Sequence, residues 1–358
     1  MALFGLFPVR KKRVLFMSYY GKHTNCNPWA IYEYIKNMDL PYECIWVDNS
    51  GKLEGKTVKY ASTAFYYYVR TSQFLIFNAR PNFDIKKRRD QKYIQTWHSS
   101  LGFKMIERDA EDTLDKRYVQ KAIRDSAYID LLISGCRFRT ECFNRNFWYS
   151  GEIAQIGTPR NDVLFAQDRD SVAAAVKGEM GVGKDTRILL YAPTFRNSGD
   201  ISYATSLDAD GLALALSKRF GGEWRIVYRL HPNVKAEGLL PPAAIDASTY
   251  KDMQALLIAS DALITDYSSV MFDFMLLDRP CFIYAPDYSE YVKKERNTYF
   301  KIDELPFEVC TDNASLTAAV RDFNSDLYAN SLVRFKDRIG SFECGTASQK
   351  IIDWMNKR

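Results

Sequence analysis

Short apolar runs alternate along this chain with longer stretches whose apolar positions recur every three or four residues, the rhythm of strands followed by helices. In the first half, residues 13–18 (RVLFMS), 43–47 (ECIWV), 57–61, 73–78 (QFLIFN), 93–97, 128–134 (YIDLLIS) and 153–157 predict strands, and residues 29–38, 64–71, 117–126 and 138–144 predict helices. The second half then starts over. Residues 187–191 (RILLY), 224–230 (WRIVYRL), 243–247, 262–265 and 281–284 predict strands, residues 208–220, 253–259 and 270–277 helices, and residues 317–323 and 346–356 closing helices. Alternation at this spacing predicts parallel, doubly wound sheets, and two such series predict an α/β chain of two Rossmann-like domains facing across a cleft. The expected division is an N-terminal domain over 1–160, a charged linker, a C-terminal domain over 185–340 and a closing helix in 341–358.

The second half centres on residues 262–287, ALITDYSSVMFDFMLLDRPCFIYAPD, which read as strand, tight polar loop, helix and strand. A helix opening directly after Ser268 and Ser269 aims its first backbone N–H groups and positive dipole end at the loop, and two hydroxyls add donors. Such a place holds a phosphate. Ser and Asp are also the usual N-cap residues, so a plain capped helix has the same pattern. Residues 178–184 (GEMGVGK) fit the spacing of a phosphate-binding P-loop, but Asp185 takes the Ser/Thr position and the segment precedes a strand instead of following one; it reads as a surface linker.

With 358 residues, 47% of them hydrophobic and 26% charged, the chain has the composition of a folded protein and the length for two domains. The net charge of +5 is mild but clustered, at Lys11, Lys12 and Arg13 and again at Lys86, Lys87, Arg88 and Arg89. Each cluster lies near apolar or aromatic residues, 3–7 in one case, Phe83 and Ile85 in the other. Besides a solvated face, that pairing suits docking on an anionic membrane surface; no nucleic-acid partner is expected. No apolar run approaches the ~20 residues of a spanning helix. The N-terminus carries its charges after its apolar residues and has no cleavage-type small-residue site, so a cytoplasmic protein is expected. Seven cysteines, an odd number without a C-x-x-C pair, argue against a disulfide framework and a zinc site.

Three histidines offer the chemistry. His98 follows strand 93–97 and opens a small-residue loop, and His231 ends strand 224–230 in RLHP, so the two occupy matching carboxyl edges of the two sheets. His23 lies in the first strand–helix loop. A lone histidine is often a structural hydrogen-bonding residue; two at equivalent strand ends read as functional. Thr194, Phe195 and Arg196 follow strand 187–191 and Arg229 precedes His231, so cations and imidazoles gather where a diphosphate-containing donor develops charge on its leaving phosphate. No Asp-x-Asp pair sits at those strand ends, so no metal or cofactor is expected, and a helix dipole with basic side chains takes the metal's place.

The segments YYGKHTNCNPWAIYEYI, QTWHSSLGFKMIERD, SGCRFRTECFNRNFWYSGEIAQIGTPRNDVLF, LLYAPTFR, RLHP, LITDYSSVMFDFMLLDRPCFIY and FKDRIGSFECGTASQKIIDW together resemble the CDP-glycerol glycerophosphotransferases of teichoic-acid and capsule synthesis, over most of the chain. The resemblance implies a GT-B-like fold, a nucleotide bound mainly by the second domain, and peripheral attachment to the cytoplasmic face of the membrane. It implies that His98 is the base for the acceptor hydroxyl and that His231 sits at the donor phosphates. Arg196 and Arg229 then support the diphosphate, Ser268 and Ser269 of the D-Y-S-S motif opened by Asp266 hold the phosphate, and Asp273 meets the ribose hydroxyls. Ser99, Ser100 and Lys104 fall on the acceptor side. The implied reaction is attack by a hydroxyl of a lipid-linked glycan or polymer on the β-phosphate of CDP-glycerol, expelling CMP. Polymerase members commonly carry W-H-G-T-P-L-K, whereas here Ser99, Ser100, Leu101, Gly102 and Phe103 separate His98 from Lys104, a departure that bears on the acceptor.

A stand-alone transferase is expected, since the sequence shows no additional large synthase domain. Three other readings stay open: ribitol-phosphate transfer from CDP-ribitol, a GT-B nucleotide-sugar glycosyltransferase, and a non-catalytic membrane-docked scaffold. The oligomeric state is left open.

Overall fold

The computed structural model describes residues 3–196, 202–231, 234, 240–288, 290–291 and 297–358. It divides into two compact units. One comprises Met1–Leu101, Ile106–Val163 and Ile339–Arg358, the other Gly102–Met105 and Leu164–Arg338.

The N-terminal unit runs β1 (Arg10–Met17), α1 (Cys26–Asn37), β2 (Glu43–Val47), β3 (Thr57–Val58), α2 (Thr63–Thr71), β4 (Ser72–Phe77), β5 (Lys92–Gln95), α3 (Lys116–Ser126), β6 (Leu131–Ser134), α4 (Arg137–Asn146) and β7 (Ile153–Gln155). The C-terminal unit runs α5 (Arg169–Glu179), β8 (Arg187–Tyr191), α6 (Ser202–Thr205), α7 (Ala209–Phe220), β9 (Trp224–Tyr228), β10 (Ile245–Asp246), α8 (Met253–Ala259), β11 (Ala262–Thr265), α9 (Val270–Phe274), β12 (Cys281–Tyr284), β13 (Glu308–Cys310), α10 (Asn313–Arg321) and α11 (Ser325–Ile339). A last helix, α12 (Ala347–Asn356), returns to the N-terminal unit.

Both sheets are parallel throughout, in the orders β3-β2-β1-β4-β5-β6-β7 and β10-β9-β8-β11-β12-β13. Each is wound in both directions from its first strand, which is why the strands are apolar on both faces. In β1, Leu15 and Met17 pack with Phe65 and Val69 of α2, while Val14 and Phe16 pack on the opposite face with Ile31 and Ile35 of α1 and Ile351 and Ile352 of α12. The second sheet buries Leu189, Ile226, Ile264 and Phe282 against Leu212 and Leu216 of α7 and Leu316 and Val320 of α10.

Several elements differ from the sequence-based expectation. Helix α5 occupies much of the expected linker, and GEMGVGK lies at its end, ahead of β8, the reverse of the P-loop order. The fifteen-residue α11 and the short edge strand β13 were not expected. The helix expected over 270–277 is α-helical only to Phe274 and closes in a 3-10 turn, Met275–Leu277. Arg13, expected on a basic face, is buried, with its guanidinium on Glu43 at 2.7 Å and on Thr71 at 3.1 Å.

Candidate active site

In an open doubly wound sheet, the loops at the carboxyl ends of the strands part where the winding reverses, and ligands bind there. In the N-terminal unit that point lies between β1 and β4. Asn78, fully buried directly after β4, bridges it: its Oδ1 accepts the Tyr19 N–H at 3.0 Å, and its carbonyl oxygen lies 3.0 Å from Nδ1 of His98, in the loop after β5. A carbonyl only accepts, so in the neutral ring Nδ1 carries the hydrogen and Nε2 the lone pair. Desolvation pulls the pKa of His98 down to about 4; the guanidiniums of Arg160 and Arg139 push the same way, and the Asn78 carbonyl opposes them. The imidazole is therefore neutral near pH 7 and offers Nε2 as a base.

The backbone around this histidine is held in conformations that non-glycine residues adopt only under constraint. Trp97 has φ +51°, Tyr19 and Tyr20 in the loop after β1 have φ of +45° and +61°, and Cys26, which opens α1, has φ +66°. Trp97 stacks on His98 with centroids 4.5 Å apart and meets Phe147 edge-on at 5.1 Å. Behind Phe147 lies Arg80, its guanidinium 4.0 Å from the ring centroid and paired with Glu107 and Asp125 in a buried cluster.

Three successive carbonyls at this turn are tied by side chains. Asn27, wholly buried in the first turn of α1, donates from Nδ2 to the carbonyls of Thr96 at 3.1 Å and Trp97 at 3.0 Å. Arg160 donates from its guanidinium to the carbonyl of His98 at 2.7 Å, and its own backbone N–H donates to Asn27 Oδ1 at 3.1 Å. Ser99 accepts from the buried Arg139 at 2.9 Å, and Ser100 is buried. Exposed His23 meets Tyr19 edge-on at 5.8 Å.

The C-terminal segment completes this edge. Glu343 accepts from the Thr158 N–H at 3.0 Å and its hydroxyl at 2.6 Å, and Asp162 caps α12 by accepting from Ala347 and Ser348 at 2.9 and 2.8 Å. A Cβ at Gly135 would stand 2.6 Å from Glu343 and 3.1 Å from the Ser100 backbone, so only glycine lets these strands close.

The winding of the second sheet reverses between β8 and β11, and a side chain bridges it in the same manner. Asp266, fully buried after β11, accepts from the N–H of Thr194 at 2.8 Å and of Tyr267 at 2.6 Å. It also pairs with Arg196 at 2.8 Å, which bonds Asp287 at 2.7 Å and the Thr194 carbonyl and lies over the rings of Tyr203, Tyr267 and Tyr291. Burial opposes the charge on Arg196, but its bonds to Asp287 and Asp266 outweigh that and hold it ionised. Arg196 and Asp266, expected to contact the donor, are engaged with each other and with the loop backbone.

Half-buried Arg229 and exposed His231 follow β9, and the His231 ring lies 5.1 Å from that of Phe195. Burial lowers the pKa of both; Arg229 lowers that of His231 further, while Asp252 works against the shift in Arg229. Ser268 and Ser269 are half-buried at the start of α9, and Ser268 Oγ accepts from the Val270 N–H at 3.3 Å. Among the described residues no hydrogen bond engages the N–H groups of Ser268 and Ser269. Asp273, expected at the ribose, is buried and accepts from Gln254 of α8 at 3.2 Å. Lys104, expected beside Ser99 and Ser100, belongs instead to the C-terminal unit, bridged to Thr298 and 5.2 Å from the Tyr291 ring centroid.

Sequence reasoning passed over Asn27, Asn78, Arg160 and Glu343. A signal existed for Asn78, a polar residue closing the apolar run QFLIF. Nothing in the sequence pairs Asn27 with residues 96, 97 and 160.

Residues 1–357 match the family model described as CDP-Glycerol:Poly(glycerophosphate) glycerophosphotransferase. The teichoic acid poly(glycerol phosphate) polymerase of Bacillus subtilis (strain 168) is 31% identical over 98% of this chain and 49% of its own length, so the chain spans about half of that relative. The protein of the same name from Bacillus spizizenii is 30% identical over 98% of this chain and 93% of its own. A solved structure of a variant of the wall teichoic acid polymerase TagF, soaked with CDPG, covers 98% of this chain and 89% of its own at 32% identity, with a TM-score of 0.84. The fold is α/β and GT-B-like. The chain belongs to the CDP-glycerol:poly(glycerophosphate) glycerophosphotransferase family.

Proposed function

We propose that the chain transfers glycerol phosphate from CDP-glycerol to a hydroxyl of a teichoic-acid-type polymer or its lipid-linked precursor, releasing CMP. The observation that carries this reading is the neutral, oriented imidazole of His98 on a strained loop, with Nδ1 committed to the Asn78 carbonyl and Nε2 left as the base. Nε2 takes the proton of the acceptor hydroxyl as its oxygen attacks the β-phosphorus. The new P–O bond forms as the bond to the CMP oxygen breaks, and CMP leaves with the electron pair. His231 and Arg229 attend the donor diphosphate, and the N–H groups of Ser268 and Ser269 bind a phosphate oxygen. Arg196, with Asp266, positions these loops.

The donor is tested by incubating the protein and an acceptor separately with CDP-glycerol, CDP-ribitol and UDP-sugars. CMP released from CDP-glycerol supports the reading; turnover of CDP-ribitol or a UDP-sugar alone transfers the assignment to that donor.

The same reading includes docking on the anionic inner face of the cell membrane. Its support is the convergence of two sequence clusters in one unit: Phe4 and Phe7 pack edge-on against Tyr67, and Arg88 donates to the Phe7 carbonyl. Leu6, 82% exposed, and Phe7 thus lie in the same patch as the exposed Lys86 and Arg89. Among the described residues no helix is long and apolar enough to cross a membrane. Flotation with anionic liposomes, lost in Leu6→Asp, is the expected result; indifference to lipid charge counts against docking.

A further inference from the structure

We infer that Asn27 is the positioning residue for His98, an assignment that rests on the role given to His98 above. The hydrogen bonds of the Asn27 side chain go to backbone groups, including the backbone that carries the ring. One amide group makes three bonds: Nδ2 to the carbonyls of Thr96 and Trp97, and Oδ1 from the N–H of Arg160. The two carbonyls flank the Cα of Trp97, the residue held at φ +51°, so the amide fixes the peptide planes on both sides of the unfavourable torsion. Arg160, placed by the third bond, reaches back to the carbonyl of His98. The direction of the His98 Cα–Cβ bond follows from these planes, and the Nδ1 contact with Asn78 follows from that direction.

Residue type and position suit the task. Only a side-chain amide presents two N–H hydrogens and an acceptor on one rigid plane. Asn27 is wholly buried in the first turn of α1, two residues after the cap Asn25, so helix packing fixes its Cα while its side chain joins two loops. The Asn27 amide bonds residues 96, 97 and 160. Without it, Trp97 relaxes toward an ordinary backbone conformation and swings His98 off the Asn78 carbonyl.

The test uses the full chain with 15N-labelled histidine. Three histidines make three ring signals, and the one absent in His98→Gln is that of His98. In the unaltered protein the expected signal is a single neutral tautomer with the hydrogen on Nδ1. In Asn27→Ala, and less severely in Asn27→Ser, which keeps one hydroxyl donor and guards against a fold too weak to study, that signal gives way to a tautomer mixture. The expected kinetic partner is a fall in kcat of about 100-fold, as for a misplaced catalytic group, with KM for CDP-glycerol changed by less than about threefold. If either folded variant retains the single Nδ1–H tautomer, Asn27 is structural only and the assignment fails. If the unaltered protein itself lacks that tautomer, it is the role of His98 as base that fails.

Discussion

The carbonyl oxygen of Asn78 stands 3.0 Å from Nδ1 of His98, and because that oxygen can only accept, it sets which nitrogen of the neutral ring keeps its lone pair. Replacing the ring removes the proposed base without touching the C-terminal unit, where the proposed donor contacts Arg229, His231, Ser268 and Ser269 lie. His98→Ala is expected to lower kcat by about 10³-fold while nucleotide affinity, measured by calorimetry with CDP-glycerol, stays near that of the unaltered protein. His231→Ala is expected to weaken both binding and turnover.

The pH dependence follows from the same environment. Desolvation, with Arg160 and Arg139, holds the His98 pKa at about 4 against an ordinary 6.5. The base therefore stays neutral through mild acid, and the acid limb of kcat/KM due to His98 lies near its folded pKa instead of near 6.5. Stability carries the matching sign: between 6.5 and about 4 the unfolded chain binds a proton that the folded ring refuses, so the His98 contribution is full above 6.5 and is lost as pH falls through that window. Asp125 works oppositely: burial, only partly offset by Arg80, raises its pKa to about 6, so it favours the fold as pH drops below 6. Comparing urea denaturation of the unaltered protein and His98→Gln at pH 7.5 and 5 isolates the first effect. The unaltered protein should lose stability relative to the variant at the lower pH; an unchanged difference contradicts a neutral, half-buried His98.

Arg196 separates framework from ligand contact. Its bond to Asp266 is a buried pair, so Arg196→Ala leaves a buried carboxylate uncompensated and is expected to destabilise the C-terminal unit by about 3 kcal/mol, read by chemical denaturation. A residue that only touches the donor phosphate would raise KM for CDP-glycerol and leave the denaturation midpoint in place.

Glu343 ties the returning C-terminal segment to the N-terminal unit through Thr158. Truncation in Glu343→Ala orphans a backbone N–H and a hydroxyl and should cost about 2 kcal/mol, together with faster proteolysis around residues 341–346. Stability equal to that of the unaltered protein would show that α12 is held by its apolar face and its Asp162 cap without help from Glu343.

These residues also mark what the sequence makes legible. The strands that build both sheets announce themselves because each is buried on two faces, and RVLFMS or ALIT has no other reading in an alternating chain. His98 and His231 are placed correctly at strand ends by that same pattern. Partner identity is another matter, because it depends on contacts between residues far apart in the sequence. Arg196 and Asp266 read as ligand groups from the sequence, and nothing in it shows that they also pair with each other across seventy residues. Asp273 lies one turn into an apolar helix, and its periodicity already places it on a buried face. Lys104 sits three residues from Leu101 yet belongs to the other unit. Helix α11 escaped notice because its apolar positions, Leu332, Phe335 and Ile339, are sparse in a charged stretch.

Mass analysis of the acceptor product tests most directly whether glycerol phosphate is transferred with His98 as the base. With CDP-glycerol and a lipid-linked disaccharide already bearing one glycerol phosphate, the protein should add whole glycerol-phosphate units with equimolar release of CMP, and His98→Ala should add none. Product of unchanged mass, or a sugar increment from a UDP-sugar with release of UDP, would contradict that transfer.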